Sequence, residues 1–312
     1  MPQQTLAQAR VIDPILTTVA QGYRNANFIG SALFPAVPVD QRGGKIVAFG
    51  KEDFMIYRTA RAPGTNTPRV QFGYSSTPYA LEQHALEGQV PFEQMQDARQ
   101  VPGIDQGQLA VRKVQNIIGL RLEKAQADLA TTAANYPTGN KTTLSGTAQW
   151  SDYTNSNPSA NIETAKEVIR SKIGLRANVV ELGAAVFSVL KQHPAILDRI
   201  KYTGRDVVTT ELLAALWGVD RVVVGDAVYA SDAGVFSDVW GKFVVVAYTD
   251  ITGLMDMGVP TFGYSYQLRG YPVVERPYED RNAKSWIYPV TDEVVPVIAA
   301  SSAGYLYSAV VP

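Results

Sequence analysis

The stretch FPAVPVDQRGGKIVAFGKEDF, Phe34 to Phe54, decides the fold. Apolar and polar residues alternate on both sides of the Gly43-Gly44 pair, which is the period of strands. Prolines stand at 2, 14, 35, 38, 63, 68, 78 and 91, so no long helix crosses residues 1–100. Short strand-like pieces occupy this region instead. Lys45 to Phe49 is one, and Gln71 to Tyr74 is another, with Val70, Phe72 and Tyr74 alternating against Gln71 and Gly73. Between them runs RTARAPGTNTPRV, Arg58 to Val70, with three arginines and two prolines. The pattern predicts a long two-stranded excursion with a mobile tip. Such a ribbon is marginal in water by itself. The first hundred residues show little that looks like a core, so something beyond them is expected to hold the ribbon.

From Gly103 to Asn135 the character changes, because proline disappears. Val111, Val114, Ile118, Leu122, Ala125 and Leu129 step by three or four residues, which is one face of an α-helix. Asp105 is placed to cap its start, and Lys124 and Asp128 form an i,i+4 pair on the wet side. At 1.5 Å per residue the rod is roughly 45 Å long. A sustained heptad with paired charges is missing, so a coiled coil is not indicated.

Asn135 to Ser159 is rich in Asn, Thr, Ser and Gly and reads as a loop, with room for a short hairpin near Gly139-Asn140. Helix and strand signals then alternate. Asn161 to Lys172 is helical and stops at Gly174. Ala177 to Leu182 is a buried strand, and Ala184 to Gln192 is a helix broken before Pro194 and resumed to Ile200. Thr210 caps a helix over Glu211 to Trp217, and Arg221 to Val224 is the next strand. This is a compact α/β unit. The tail is mostly strand: Lys242 to Tyr248, Thr261 to Leu268, Tyr271 to Arg276, Ala283 to Tyr288 and Val294 to Ala299.

Composition narrows the function. The chain has 312 residues, 46% hydrophobic and 18% charged, with a formal net charge of -1 and no cysteine. A folded core is supported, thiol and disulfide chemistry is excluded, and no global field draws the chain to nucleic acid. The N-terminus lacks a basic segment followed by an apolar one, so no secretory signal is expected. The longest apolar runs, such as Phe243 to Tyr248, fall far short of the roughly 18 residues a membrane span needs. The two histidines, His84 and His193, are too few for a His-rich metal site. No nucleophile elbow, Walker loop or dinucleotide fingerprint occurs. Glu52-Asp53 and Glu279-Asp280 are adjacent acids in turns, a pattern of solvated residues and not of a catalytic dyad. Arg58, Arg61 and Arg69, with Tyr57 and Phe72, are the nearest thing to a basic and aromatic patch. Ion pairing to another protein explains them as well as nucleic acid does.

The order of parts carries more information than any motif. An N-terminal arm precedes a β excursion, one long helix, a compact α/β block and returning strands. NFIGSALFPAVPVDQRGGKIVAFGKEDF (Asn27 to Phe54), VVELGAAVFSVLKQHPAILDRIKYT (Val179 to Thr203) and LLAALWGVDRVVVGDAVY (Leu212 to Tyr229) are the phrases that carry the likeness. Together they resemble the major capsid protein of tailed bacteriophages of the Hong Kong 97 type. The resemblance implies an α+β fold with an arm over 1–44 and an extended β-hairpin loop with its return over 45–100. It implies a peripheral domain with a spine helix over 101–159, an axial α/β domain over 160–240, and completing strands over 241–312. It further implies a non-enzymatic, cofactor-free subunit that assembles in the host cytoplasm into the hexamers and pentamers of an icosahedral virion shell around double-stranded DNA. Implied partners are other copies, a scaffolding protein, a portal and a cement protein, with weak, sequence-independent contact to DNA and no membrane. Arg58, Arg61, Arg69, Phe34, Phe54 and Phe72 are the candidate inter-subunit contacts. An encapsulin-like bacterial compartment shell shares the fold and is the alternative. A β-rich tail protein or an enzyme would need fibre repeats or a converging polar pocket, and the sequence points to neither.

Overall fold

The computed structural model describes residues 12–22, 25, 27–47, 56, 59–61, 66–67, 69, 74–98, 105–200, 207–250 and 260–312. In chain order, helix α1 (Pro14–Gly22) precedes strands β1 (Ala36–Val39), β2 (Gly43–Val47), β3 (Tyr74–Ala80) and β4 (Glu82–Pro91). A short helix α2 (Phe92–Ala98) and the long α3 (Gln106–Thr131) follow, then β5 (Lys141–Thr143) and α4 (Pro158–Ile173). The α/β block contains β6 (Val179–Gly183), α5 (Ala184–Leu190), α6 (Pro194–Ile200), α7 (Thr210–Trp217) and β7 (Arg221–Gly225). The remainder is β8 (Val228–Ala230), β9 (Phe236–Asp238), β10 (Val244–Ala247), β11 (Gly263–Leu268), β12 (Val273–Val274), β13 (Tyr278–Asp280), β14 (Ser285–Ile298) and β15 (Gly304–Ser308).

Two sheets organise these elements. A six-stranded sheet is built on β14, which pairs with β4, β11, β12 and β13, while β1 adds parallel to β11. A five-stranded sheet runs β5-β15-β10-β6-β7, with β6 parallel to β7 and β10 antiparallel to β6 and β15. Every residue of β6 and β10 is buried. That is the expected consequence of covering both faces of the sheet. The largest core gathers here, with Trp150, Trp217, Trp240 and Phe262 fully buried.

The long helix bridges the two sheets. Asp105 caps it as its sequence predicts, accepting from the amides of Gly107 at 2.9 Å and Gln108 at 3.1 Å. Its first half buries Val111, Val114 and Ile118 against Leu16, Ala20, Val274 and Val290. Its second half departs from the periodic reading. Leu122, Ala125 and Leu129 are only partly buried, while Glu123, Gln126, Ala127 and Ala130 are buried. The apolar stripe is therefore not the whole contact face, because polar partners from distant segments wait on the other flank.

Several sequence boundaries change. The cap of α7 is Thr209, one residue before Thr210, because its hydroxyl accepts from Leu212 N at 3.3 Å. The strands read over Ala283–Tyr288 and Val294–Ala299 are one strand, β14, running through Pro289. Pro289 is tolerated because its missing N–H falls where β12 ends and β13 has not begun; its carbonyl accepts from Glu275 N at 3.1 Å. No hairpin forms at Gly139-Asn140; β5 instead joins β15 in the five-stranded sheet. Residues 133–159 thus pack with that sheet, although the sequence places them with the long helix. The chain returns from the excursion into the six-stranded sheet, where β4 pairs with β14 from Glu82 to Pro91.

Candidate assembly interface

The arm is the first correction to the idea of a segment without its own core. Asp13 caps α1, its Oδ1 accepting from Ile15 N and Leu16 N at 3.0 Å each. The Thr17 hydroxyl accepts from Val274 N at 3.1 Å and donates to Val274 O at 3.3 Å. Leu16, Ala20, Ala32, Leu33, Phe34, Val37 and Val39 are all buried. The described part of the arm is held by its own subunit. Phe34, a candidate inter-subunit contact, is the clearest case. It is fully buried, with its ring 5.5 Å from that of Phe262. Gly263 lies directly beneath it, where a Cβ would come within 2.5 Å of the Phe34 ring. The alternation around Phe34 marks a strand entering this core, and alternation does not reveal which body supplies the other wall.

A buried carboxylate ties the arm down. Glu123 Oε1 accepts from Ile29 N at 2.9 Å, Oε2 accepts from Gly30 N at 2.9 Å, and the Trp240 indole donates to Oε1 at 2.7 Å. Burial pushes its pKa up, and these donors draw it back. Gly30 is required at this point. A Cβ would overlap Gln126 Oε1 and lie 2.9 Å from Glu123 Oε2. Gln126 in turn donates to Ser265 Oγ on β11 at 2.8 Å. One turn of the long helix therefore joins the arm, the loop before β10 and the six-stranded sheet. Glu181, fully buried on β6, lies near Glu123 with no donor on either oxygen among the described residues. Burial first, and the nearby Glu123 second, push its pKa well above the usual carboxylate range.

The excursion begins where the body ends. Strands β2 and β3 pair with each other, and among the described residues they pair with no other strand. Their base is clamped to the six-stranded sheet. Arg42 grips the buried Glu293 with two hydrogen bonds, at 2.7 and 3.0 Å, and Tyr79 stacks on Tyr266 at 4.3 Å. Gly44 admits the Tyr79 ring, which a Cβ would meet at 2.8 Å. Beyond Val47, the described residues 56, 59–61, 66–67 and 69 are all exposed, Ile56 completely. Arg61 donates weakly to Thr67 Oγ1 at 3.5 Å, and Arg69 is exposed. Arg58, Phe54 and Phe72 lie outside the described residues.

Each of the two histidines has a local partner. His193 is buried, its Nε2 at 2.9 Å from Ser156 Oγ and its Nδ1 accepting from Ala195 N at 3.2 Å. His84 accepts from Arg121 Nε at 3.1 Å. Burial lowers the pKa of both rings. Among the described residues no acidic or histidine cluster is suited to a metal, and no helix is long and apolar enough to cross a membrane.

The comparisons agree with a shell subunit. No family model matches the chain. The major capsid protein of Burkholderia phage BcepMu is 37% identical over 309 residues, covering 98% of both chains. A crystal structure of a phage-related protein from Bordetella bronchiseptica RB50 superposes with a TM-score of 0.83 at 46% identity, covering 98% of this chain and 99% of that one. The encapsulin of Synechococcus elongatus PCC 7942 superposes with a TM-score of 0.53 at 12% identity, over 99% of this chain and 91% of its own, a likeness of fold alone. With more than a third of its residues shared along nearly the full length of a named relative, the chain belongs to the phage major capsid proteins, the structural subunits of the viral shell.

Proposed function

We propose that this subunit builds an icosahedral shell of hexamers and pentamers around double-stranded DNA on the Hong Kong 97 plan, assembling in the host cytoplasm. In that reading residues 1–44 are the arm, β2 and β3 begin the extended loop, and α3 is the spine helix. The six-stranded sheet serves as the peripheral domain and the five-stranded sheet as the axial domain. The observation that carries it is the β2–β3 pair. Its base is clamped by Arg42 and Tyr79, and every described residue between Val47 and Tyr74 is exposed. A two-stranded ribbon gains stability when a neighbouring copy covers it. Arg58, Arg61, Arg69, Phe54 and Phe72 remain the proposed contacts, while Phe34 is withdrawn. A closed shell multiplies modest contacts, because every copy both gives and receives one. A scaffolding protein, a portal and a cement protein are the proposed partners. The net charge of -1 suits hundreds of close copies and implies only weak, sequence-independent contact with DNA.

Deleting Arg58 to Arg69 tests this. The subunit should melt near its original temperature while shell assembly is lost. A deletion that collapses the isolated subunit would place the loop in its own core. The encapsulin-like reading shares the fold, and neighbouring genes separate the two: terminase and portal on one side, a cargo enzyme on the other.

A further inference from the structure

The hairpin β8–β9 carries an apolar surface with nothing on it. Val228 pairs with Asp238 and Ala230 with Phe236, so these four side chains share one face, while Tyr229 and Ser237 take the other. Tyr229 turns inward, with its ring 5.2 Å from Lys124 Nζ on the long helix. The outer face is open: Val228 is 47% exposed and Phe236 73%; the tip residue Val235, beyond the paired strands, is 61% exposed. The tip is held in shape, with Ser231 N donating to Val235 O at 2.9 Å and Gly234 N donating to Ser231 O at 2.8 Å. Asp226, Asp232 and Asp238 are exposed around it, and none forms a salt bridge with a described residue. This is a firm apolar finger inside an acidic ring.

The first half of the long helix carries the opposite surface. Leu109, Lys113 and Ile117 fall at i, i+4 and i+8, with Arg112 beside them, so they line one outward stripe. Leu109 is 42% exposed and Ile117 55%, and Arg112 and Lys113 are exposed without an ion pair to a described residue. The stripe is about 12 Å long, from eight residues at 1.5 Å each. The finger from Val228 to its tip is about 10 Å, from three residues at 3.3 Å each. The two surfaces match in length and in apolar content, and their charges are opposite in sign. Both are exposed in the subunit, and among the described residues the finger does not cover its own subunit's stripe.

We propose that the β8–β9 finger of one subunit docks on the Leu109–Ile117 stripe of a second copy of this chain. The inference rests on the shell-subunit reading. It supplies a head-to-tail contact in which each copy uses its finger once and its stripe once, which is the form that closes a ring. Phe236 is the aromatic anchor and the acids and bases form the rim. The acidic ring argues against DNA as the occupant.

The test is charge exchange in the full-length chain, scored by shell formation in electron micrographs beside wild type. Asp226→Lys with Asp232→Lys and Asp238→Lys should abolish shells, as should Arg112→Glu with Lys113→Glu. All five changes together should restore them. Either set assembling like wild type, or no rescue by the combination, overturns the proposal. A covalent readout guards against variants that fail to fold. The chain has no cysteine, so Gln108→Cys with Ala233→Cys places one thiol beside each surface and leaves Phe236, Leu109 and Ile117 in place. Oxidised shells should give a ladder of linked subunits on a denaturing gel. Well-formed shells that yield only monomer overturn the docking and leave the shell reading intact. A wild-type chain that forms no shells overturns both.

Discussion

Glu181 is the most informative residue to perturb. It sits in β6 between Val223 of β7 and Val245 of β10, one strand in from the edge of the five-stranded sheet. The ionisable groups around it are Glu123 from the long helix, Tyr136, whose hydroxyl donates to Ala130 O at 2.6 Å, and Arg221 on the same face of β7, which donates to Ala32 O at 3.1 Å. None gives Glu181 a hydrogen bond. Burial, then Glu123, pushes its pKa up, so the folded subunit holds this proton where the unfolded chain, titrating near ~4.3, has released it. Between those two values the folded state binds one proton more. Stability is therefore full below the unfolded value and falls by about 1.4 kcal/mol per pH unit as pH rises. Glu181→Gln keeps the shape and removes the titration. Its buried amide leaves donors unpaired and lowers the baseline by roughly 1–3 kcal/mol, so the slope and not the level is the signal. Urea unfolding of unassembled subunits at pH 5.0, 5.5 and 6.0 measures it. Wild type should lose stability relative to the variant as pH rises across this range, by at most about 1.4 kcal/mol per unit. Parallel profiles would mean that Glu181 is ionised or solvated in the folded subunit, and the reasoning would be wrong.

Three further outcomes follow from the arm and its anchor. Gly30→Ala forces a methyl into Gln126 and Glu123 and should destabilise the subunit by about 1–3 kcal/mol, read by chemical denaturation. Leu16→Ala removes a buried anchor of α1 and should lower stability by about 2–5 kcal/mol if the arm unfolds with the body. Hydrogen exchange separates the cases, since loss of protection confined to 12–22 would mean that the arm opens alone. Glu123→Ala strands the Ile29 and Gly30 amides and the Trp240 indole without their acceptor, and should cost about 3–5 kcal/mol. Trp240 fluorescence should shift with it; an unchanged spectrum and melting point would remove Glu123 from its anchoring role.

Local rules made much of this chain legible. Proline spacing agrees with the short elements among the described residues of 1–100, and the 3.6-residue period with Asp105 before it marked the long helix. Alternation about Gly43-Gly44 marked strands, and the lack of cysteine removed a whole class of chemistry. These signals live within a few residues of each other, so the sequence states them directly. The tertiary structure alone decided what each face meets. Glu123 is buried because its donors come from Ile29 and Trp240, at separations of 94 and 117 residues. Phe34 lies in its own core because Phe262 and Gly263 stand across from it. Pro289 is carried within one long strand because its missing donor falls at a gap between two partners. In each case periodicity specifies which side chains share a face, while burial depends on partners that only the closed chain brings near.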